Sequence, residues 1–137
     1  MNGQYGISSK VFQWRPELVE RAAANVALYK RIRPVIRGAD VYHLTPSPDH
    51  REPRGWMALE YVNPETHRAF VRAYRLAGGE PRRSFRLRGL EAGRRYRVTE
   101  EGRLIGTFRG DELAATGLTV TLDAEWRAAI LELEPQP

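Results

Sequence analysis

The sequence predicts a mainly β protein: an antiparallel β-sandwich of seven or eight strands, preceded by one long N-terminal α-helix. Three observations lead there. Residues 17–33 are alanine-rich with apolar residues at three- and four-residue steps, and after Gly38 the apolar period drops to two. Turn-forming clusters then recur about every ten residues, the spacing of short antiparallel strands. Two of the strand-like runs, Trp56 to Val62 and Ala128 to Leu133, are apolar on both faces, which calls for two packed layers with the helix as an appendage.

Residues 1–14 read as a loop, with Gly3, Gly6 and the Ser8-Ser9 pair among scattered apolar Ile7, Val11 and Phe12. Pro16 stands where a first-turn proline is tolerated, and Glu17 and Glu20 lie near the positive end of the helix dipole. The helix from Glu17 to Arg33 carries an apolar stripe of Leu18, Ala22, Val26 and Tyr29, widened by Val19, Ala23 and Ala27. Lys30, Arg31 and Arg33 suit its negative end, and Pro34 pushes residue 33 towards extended geometry, so the helix is expected to stop there.

Strands are expected at Val41 to Leu44, Trp56 to Val62, His67 to Leu76, Ser84 to Leu87, Tyr96 to Thr99, Leu104 to Phe108, Leu118 to Leu122 and Trp126 to Leu133. A surface loop with three prolines fills Pro46 to Arg54, Glu100-Glu101-Gly102-Arg103 makes a tight hairpin, and Asp111 to Ala115 forms a single helical turn.

Composition narrows the class. The chain has 137 residues, enough for a core that buries roughly two thirds of the unfolded surface without staples. It has no cysteine, which removes thiol catalysis, Cys-ligated zinc and disulfides. No apolar run approaches a membrane span and no signal-peptide layout opens the chain, so no membrane partner and a cytoplasmic location are expected. The balance of 22 Lys plus Arg against 17 Asp plus Glu is +5, and only Lys10 and Lys30 are lysines.

Strand alternation places the arginines. Phe85 and Leu87 oppose Arg86 and Arg88, and Tyr96 and Val98 oppose Arg95 and Arg97, so the guanidinium groups form an outer, partly ion-paired face. Seven arginines between Arg82 and Arg97 could track phosphates, but the aromatics fall on the inward face. A single-strand platform needs both on one surface, which disfavours nucleic acid as a partner.

Reactive constellations are scarce. His43, His50 and His67 have no metal-ligand spacing; His50 reads as solvated and His43 as a structural strand histidine. There is no GxSxG elbow and no phosphate-cradling glycine motif, and Ser8 and Ser9 read as loop residues. Asp40, Asp49, Asp111 and Asp123 fall at loops or strand edges, where capping or solvation is the default. Glu60 shares the Trp56 and Ala58 face of a central strand, and a partly buried carboxylate there calls for a structural arginine partner. No catalytic, substrate-binding or metal residue is assigned.

Ala27 to Thr45 (ALYKRIRPVIRGADVYHLT), Trp56 to Asn63 (WMALEYVN), Leu87 to Val98 (LRGLEAGRRYRV), Gly110 to Leu122 (GDELAATGLTVTL) and Trp126 to Leu133 follow one another in an order that carries a resemblance. The chain resembles, over essentially its whole length, the C-terminal part of melibiase-type bacterial alpha-galactosidases, glycoside hydrolase family thirty-six. Met1 to Ser8 look like the segment closing the last barrel strand of those enzymes. The resemblance implies that residues 1–37 are a barrel-derived loop and the final barrel helix, and that 38–137 form the Greek-key sandwich domain that follows. It also implies a retaining mechanism, without metal or cofactor, on two barrel aspartates upstream of the matched part. None of Asp40, Asp49, Asp111 or Asp123 matches either motif. The expectation is a non-catalytic packing domain, as a C-terminal fragment, an excised domain or a frame restarted at an internal methionine. Its natural partner is then the catalytic barrel.

Without that barrel the stripe of Leu18, Ala22, Val26 and Tyr29 needs another cover, so a homo-oligomer or a helix folded onto the sheet is expected, with Trp56 joining the packing residues. The alternative function is a carbohydrate-binding module using Trp14, Trp56 or Trp126; the placement of Trp56 and Trp126 at strand starts makes them core anchors instead.

Overall fold

The computed structural model describes residues 5–137. A single 3-10 turn at Val11–Gln13 leads into α1 (Pro16–Ile36). Eight strands follow: β1 (Asp40–His43), β2 (Trp56–Val62), β3 (Ala69–Arg75), β4 (Arg82–Phe85), β5 (Arg95–Glu100), β6 (Arg103–Arg109), β7 (Leu118–Thr121) and β8 (Arg127–Pro135). A short helix, α2 (Gly110–Ala115), separates β6 from β7 where one helical turn is expected. All strand pairings are antiparallel. One sheet runs β1-β2-β3-β8-β5-β6 and the other is the pair β4-β7, so β8 inserts between β3 and β5 and the chain crosses between layers. The loop reading of residues 1–4 lies outside the described residues.

Between the two sheets lies the larger core, in which Ala58, Val71, Tyr96, Val98 and Leu133 are fully buried beside Phe85, Leu118 and Val120. The alternation holds: Phe85, Leu87, Tyr96 and Val98 face inward while Arg86, Arg88, Arg95 and Arg97 are exposed. The tight hairpin also forms, with Glu100 opposite Arg103 and positive φ at both Glu101 (49°) and Gly102 (83°). That pair of angles matches the twist of the flanking strands.

The helix departs from expectation in two ways. It runs three residues past Arg33, with Pro34 inside its last turn. Proline there forfeits one backbone hydrogen bond and strains residue 33, a cost of about 3 kcal/mol in a helix interior. Val35 and Ile36, held in helical geometry, pack with Ile32 on Leu59, Tyr61 and Phe70. Burying two such side chains contributes about 3–6 kcal/mol and decides the outcome.

Nor is the helix an appendage. It forms a third layer over the outer face of the six-stranded sheet, which is why both faces of β2 are buried. Tyr61 and Phe70 stack beneath it with ring centroids 4.5 Å apart. Arg31 grips Glu132 of β8, with Nη2 3.0 Å from Oε1 and Nε 3.3 Å from both carboxylate oxygens.

Asn63, the last residue of the WMALEYVN run, ties the C-terminus of α1 to the β2–β3 turn. Its Nδ2 donates to the carbonyls of Arg37 (3.1 Å) and Pro34 (3.4 Å), and its Oδ1 accepts from the backbone N–H groups of Glu65 and Thr66, each at 3.0 Å. The side chain is buried, so its removal leaves carbonyls of the helix end and two turn amides without partners. Asn63→Ala is expected to lower stability by about 2–3 kcal/mol in urea denaturation. Asn63→Asp keeps the acceptor but loses the donor and sets a negative charge at the negative helix end, so it should be no milder.

Candidate functional site

Two lines of apolar residues run along α1. Leu28, Ile32 and Val35 face the sheet, whereas the expected stripe lies about 100° around the helix, one residue's rotation away. Of that stripe Leu18 is exposed and Ala22, Val26 and Tyr29 are half-buried. Tyr5 packs against Tyr29, their ring centroids 5.5 Å apart, and covers that part of the stripe. Among the described residues Ile7, Val11, Leu18 and Val19 are exposed apolar side chains, and Phe12 is 84% exposed. These exposed apolar residues belong to the first turn of α1 and to the segment before it. Trp56, the remaining packing candidate, is in the sandwich core, edge-on to Phe85, with its indole N–H donating to Glu80 O at 2.9 Å.

Trp126 corrects the reading of it as a core anchor: it is 63% exposed. Its φ of 62° turns the backbone out of strand geometry, with its N–H donating to Arg75 O at 2.7 Å, so β8 begins only at Arg127. His67 does the same before β3, with φ 55°. Trp14 is half-buried and donates to Ser9 Oγ at 3.1 Å.

The titratable residues scatter. His43 is exposed on the edge strand β1 rather than held as a structural histidine, since among the described residues no further strand covers that edge. His50 is exposed near Asp49, whose Oδ1 accepts the Arg51 N–H at 2.8 Å. Asp40, Asp49, Asp111 and Asp123 are all at the surface, and the hydrogen bond from Arg109 holds Asp111 below the usual carboxylate range. Among the described residues no group of three or more His, Asp or Glu side chains is placed to hold a metal.

Glu60 is more deeply buried than Arg72 or Glu132, and its partner is not the one expected. It is completely buried inside the sandwich, with Oε2 accepting the backbone N–H of Arg88 at 2.7 Å and Oε1 that of Gly89 at 3.4 Å. Arg88 itself is exposed, so its backbone N–H and not its guanidinium meets the carboxylate. Burial pushes the Glu60 carboxyl above its ordinary pKa, with the two amides opposing the shift. Its role is to pin the segment after β4, where Gly89 leaves room for Tyr42 and Val62. No pattern in the sequence announces a carboxylate that caps a distant backbone turn.

A helix-backed β-sandwich is the class these features define. The family model described as the glycosyl hydrolase family 36 C-terminal domain matches residues 56–133, and the chain belongs to that family. In fold it is similar to the alpha-galactosidase AgaA from Geobacillus stearothermophilus, with a TM-score of 0.76, 22% identity, and coverage of 92% of this chain and 17% of that one. The alpha-galactosidase from Lactobacillus brevis gives 0.75 and 19% identity, over 93% of this chain and 18% of that chain. The galactosidase domain of an alpha-galactosidase–sucrose kinase, AgaSK, gives 0.73 and 21%, over 90% and 17%. The chain thus spans less than a fifth of the length of these structures. No curated protein matches it.

Proposed function

We propose that the chain acts as the non-catalytic packing domain of an alpha-galactosidase that releases terminal alpha-linked galactose, with α1 as the last helix of the catalytic barrel. The observation that carries this reading is the asymmetry of coverage: 92% of this chain accounts for only 17% of AgaA. The part left out of the match is about 11 of 137 residues, so the matched part takes in much of the 21-residue α1 as well as the sandwich. Exposed Val11, Phe12, Leu18 and Val19 support this reading as side chains that the rest of a barrel would cover.

Two results are expected. The 137-residue chain alone shows no turnover of an aryl alpha-galactoside, and a barrel encoded upstream in the same reading frame becomes soluble and active only when this chain is supplied with it. Hydrolysis by the chain alone, abolished by replacing one of Asp40, Asp49, Asp111 or Asp123, overturns the proposal. In the absence of a barrel these exposed side chains drive self-association, which sedimentation detects as a concentration-dependent dimer that Phe12→Ser weakens.

A further inference from the structure

Residues 83–88, consecutive in the chain, line a single groove of about 490 Å³, with Leu44 and Ala114 as its other walls. Neighbouring side chains of an extended segment go to opposite faces, so a run of them shares one groove only along the edge of the backbone. β4 has such an edge, since among the described residues β7 is its one strand partner. The Leu122 N–H donates to Pro81 O at 2.8 Å and the Leu87 N–H to Leu113 O at 3.1 Å, so the odd-numbered residues from 81 to 87 turn their backbone polar groups towards β7 and α2. Arg82, Ser84 and Arg86 turn theirs to the open edge. All three residues are exposed, and among the described residues no backbone group bonds to them there.

The charge along this edge has one sign. Arg83, Arg86 and Arg88 line the groove and no carboxylate does. The chain has no acidic residue between Glu80 and Glu91, and among the described residues Arg82, Arg83, Arg86 and Arg88 enter no salt bridge. The arginines that follow differ: Arg94, Arg97, Arg103 and Arg109 are paired with Glu91, Glu134, Glu100 and Asp111. Buried Glu60 spends its carboxylate oxygens on the amides of Arg88 and Gly89. Arg83 lies over the Phe85 ring, its guanidinium carbon 5.7 Å from the centroid, which keeps its charge beside the strand.

We propose that the open edge of β4 receives an extended acidic segment of a partner polypeptide, which adds as a third strand to the β4-β7 sheet and sets its carboxylates against Arg83, Arg86 and Arg88. The edge offers N–H donors and C=O acceptors in alternation. A peptide backbone answers both, whereas a nucleic-acid backbone carries acceptors only and would set its charge against the carbonyls of Arg82 and Ser84. A second copy of the same edge is disfavoured, because it would bring arginine against arginine. The groove belongs to the layer on the other side of the six-stranded sheet from α1, so the inference goes beyond the packing role and can fail without it.

The test follows the fluorescence anisotropy of a labelled short peptide of alternating glutamate and threonine as the 137-residue chain is added. Beside it run the lysine–threonine counterpart, a short DNA duplex, and the acidic peptide methylated on every backbone nitrogen. The acidic peptide is expected to bind with a Kd of roughly 10–100 μM and the basic one not at all. In the complex, hydrogen exchange slows at the amides of Arg82, Ser84 and Arg86 and stays unchanged at Arg83 and Phe85, which already face β7. Methylation keeps the charge but removes the donors, and is expected to weaken binding at least about tenfold. Arg86→Glu, an exposed position, is expected to weaken it to a similar extent, at least about tenfold. The methylated peptide decides the matter should that variant not fold. The proposal is overturned if the acidic peptide does not bind, if the methylated peptide binds as well, if the three amides keep their exchange rates, or if the duplex binds more tightly than the acidic peptide.

Discussion

Gly110→Ala is expected to cost about 3–5 kcal/mol, a large share of the 5–15 kcal/mol that holds an ordinary domain together. Gly110 opens α2, and its N–H donates to Arg94 O at 2.9 Å while the Asp111 N–H donates to Ala92 O at 3.0 Å. These bonds press the start of α2 onto the turn at residues 91–94, so a Cβ at position 110 would overlap the Glu91 carbonyl, 2.8 Å from its carbon, and sit 3.4 Å from Ala92 Cα. The turn has nowhere to retreat. The Glu91 N–H donates to the buried Tyr96 hydroxyl at 3.1 Å, and Arg94 closes on Glu91 through its backbone at 3.1 Å and its side chain at 2.7 Å. Gly93 is the control, because a Cβ there meets nothing within 4 Å; Gly93→Ala should stay within about 0.5 kcal/mol of the parent. Guanidinium denaturation of the two variants measures the contrast, and equal midpoints would show that the junction is plastic.

Glu60→Ala is the second large effect, expected at about 2–4 kcal/mol near neutral pH. The substitution strands the amides of Arg88 and Gly89 inside the sandwich and leaves a cavity where the carboxylate stood. Glu60→Gln fills the space without ionising and so isolates the charge. Since burial raises the carboxyl pKa in the fold above its ordinary value of 4.5, the protonated form is the one the fold prefers. The stabilisation tied to that shift is complete below the ordinary value and is lost as pH rises through the raised one. The stability of the parent relative to Glu60→Gln should therefore fall in urea melts as pH rises above the ordinary value of 4.5. A difference that stays flat with pH would mean that the amides fully offset the burial.

Gly110 and Glu60 show how far the sequence can be read. The segments RGLEAGRRYRV and GDEL are recognisable separately, yet that they touch through Gly110 is set by the return of β6 alongside β5. The burial of Glu60 follows from its place among Trp56 and Ala58 on an apolar strand, but its partner comes from a segment 28 residues away in the other layer. Likewise Leu28, Ile32 and Val35 have helical spacing as good as the Leu18 stripe and bulkier side chains than its alanine. Their size was the available signal for the sheet-facing line, and the sheet beneath them is what selects it.

The linear order of residues by itself determined the eight strands, the helix start at Pro16, the outward arginines and the hairpin at Glu101, because dihedral preference and side-chain alternation act over a few neighbouring positions. Only the tertiary structure decided that α1 runs through Pro34, which of its faces is covered, that Trp126 stands in solvent, and that a groove opens along the edge of β4. Those outcomes depend on which distant surface arrives opposite each side chain, and burial free energy between layers exceeds the local preferences it overrides.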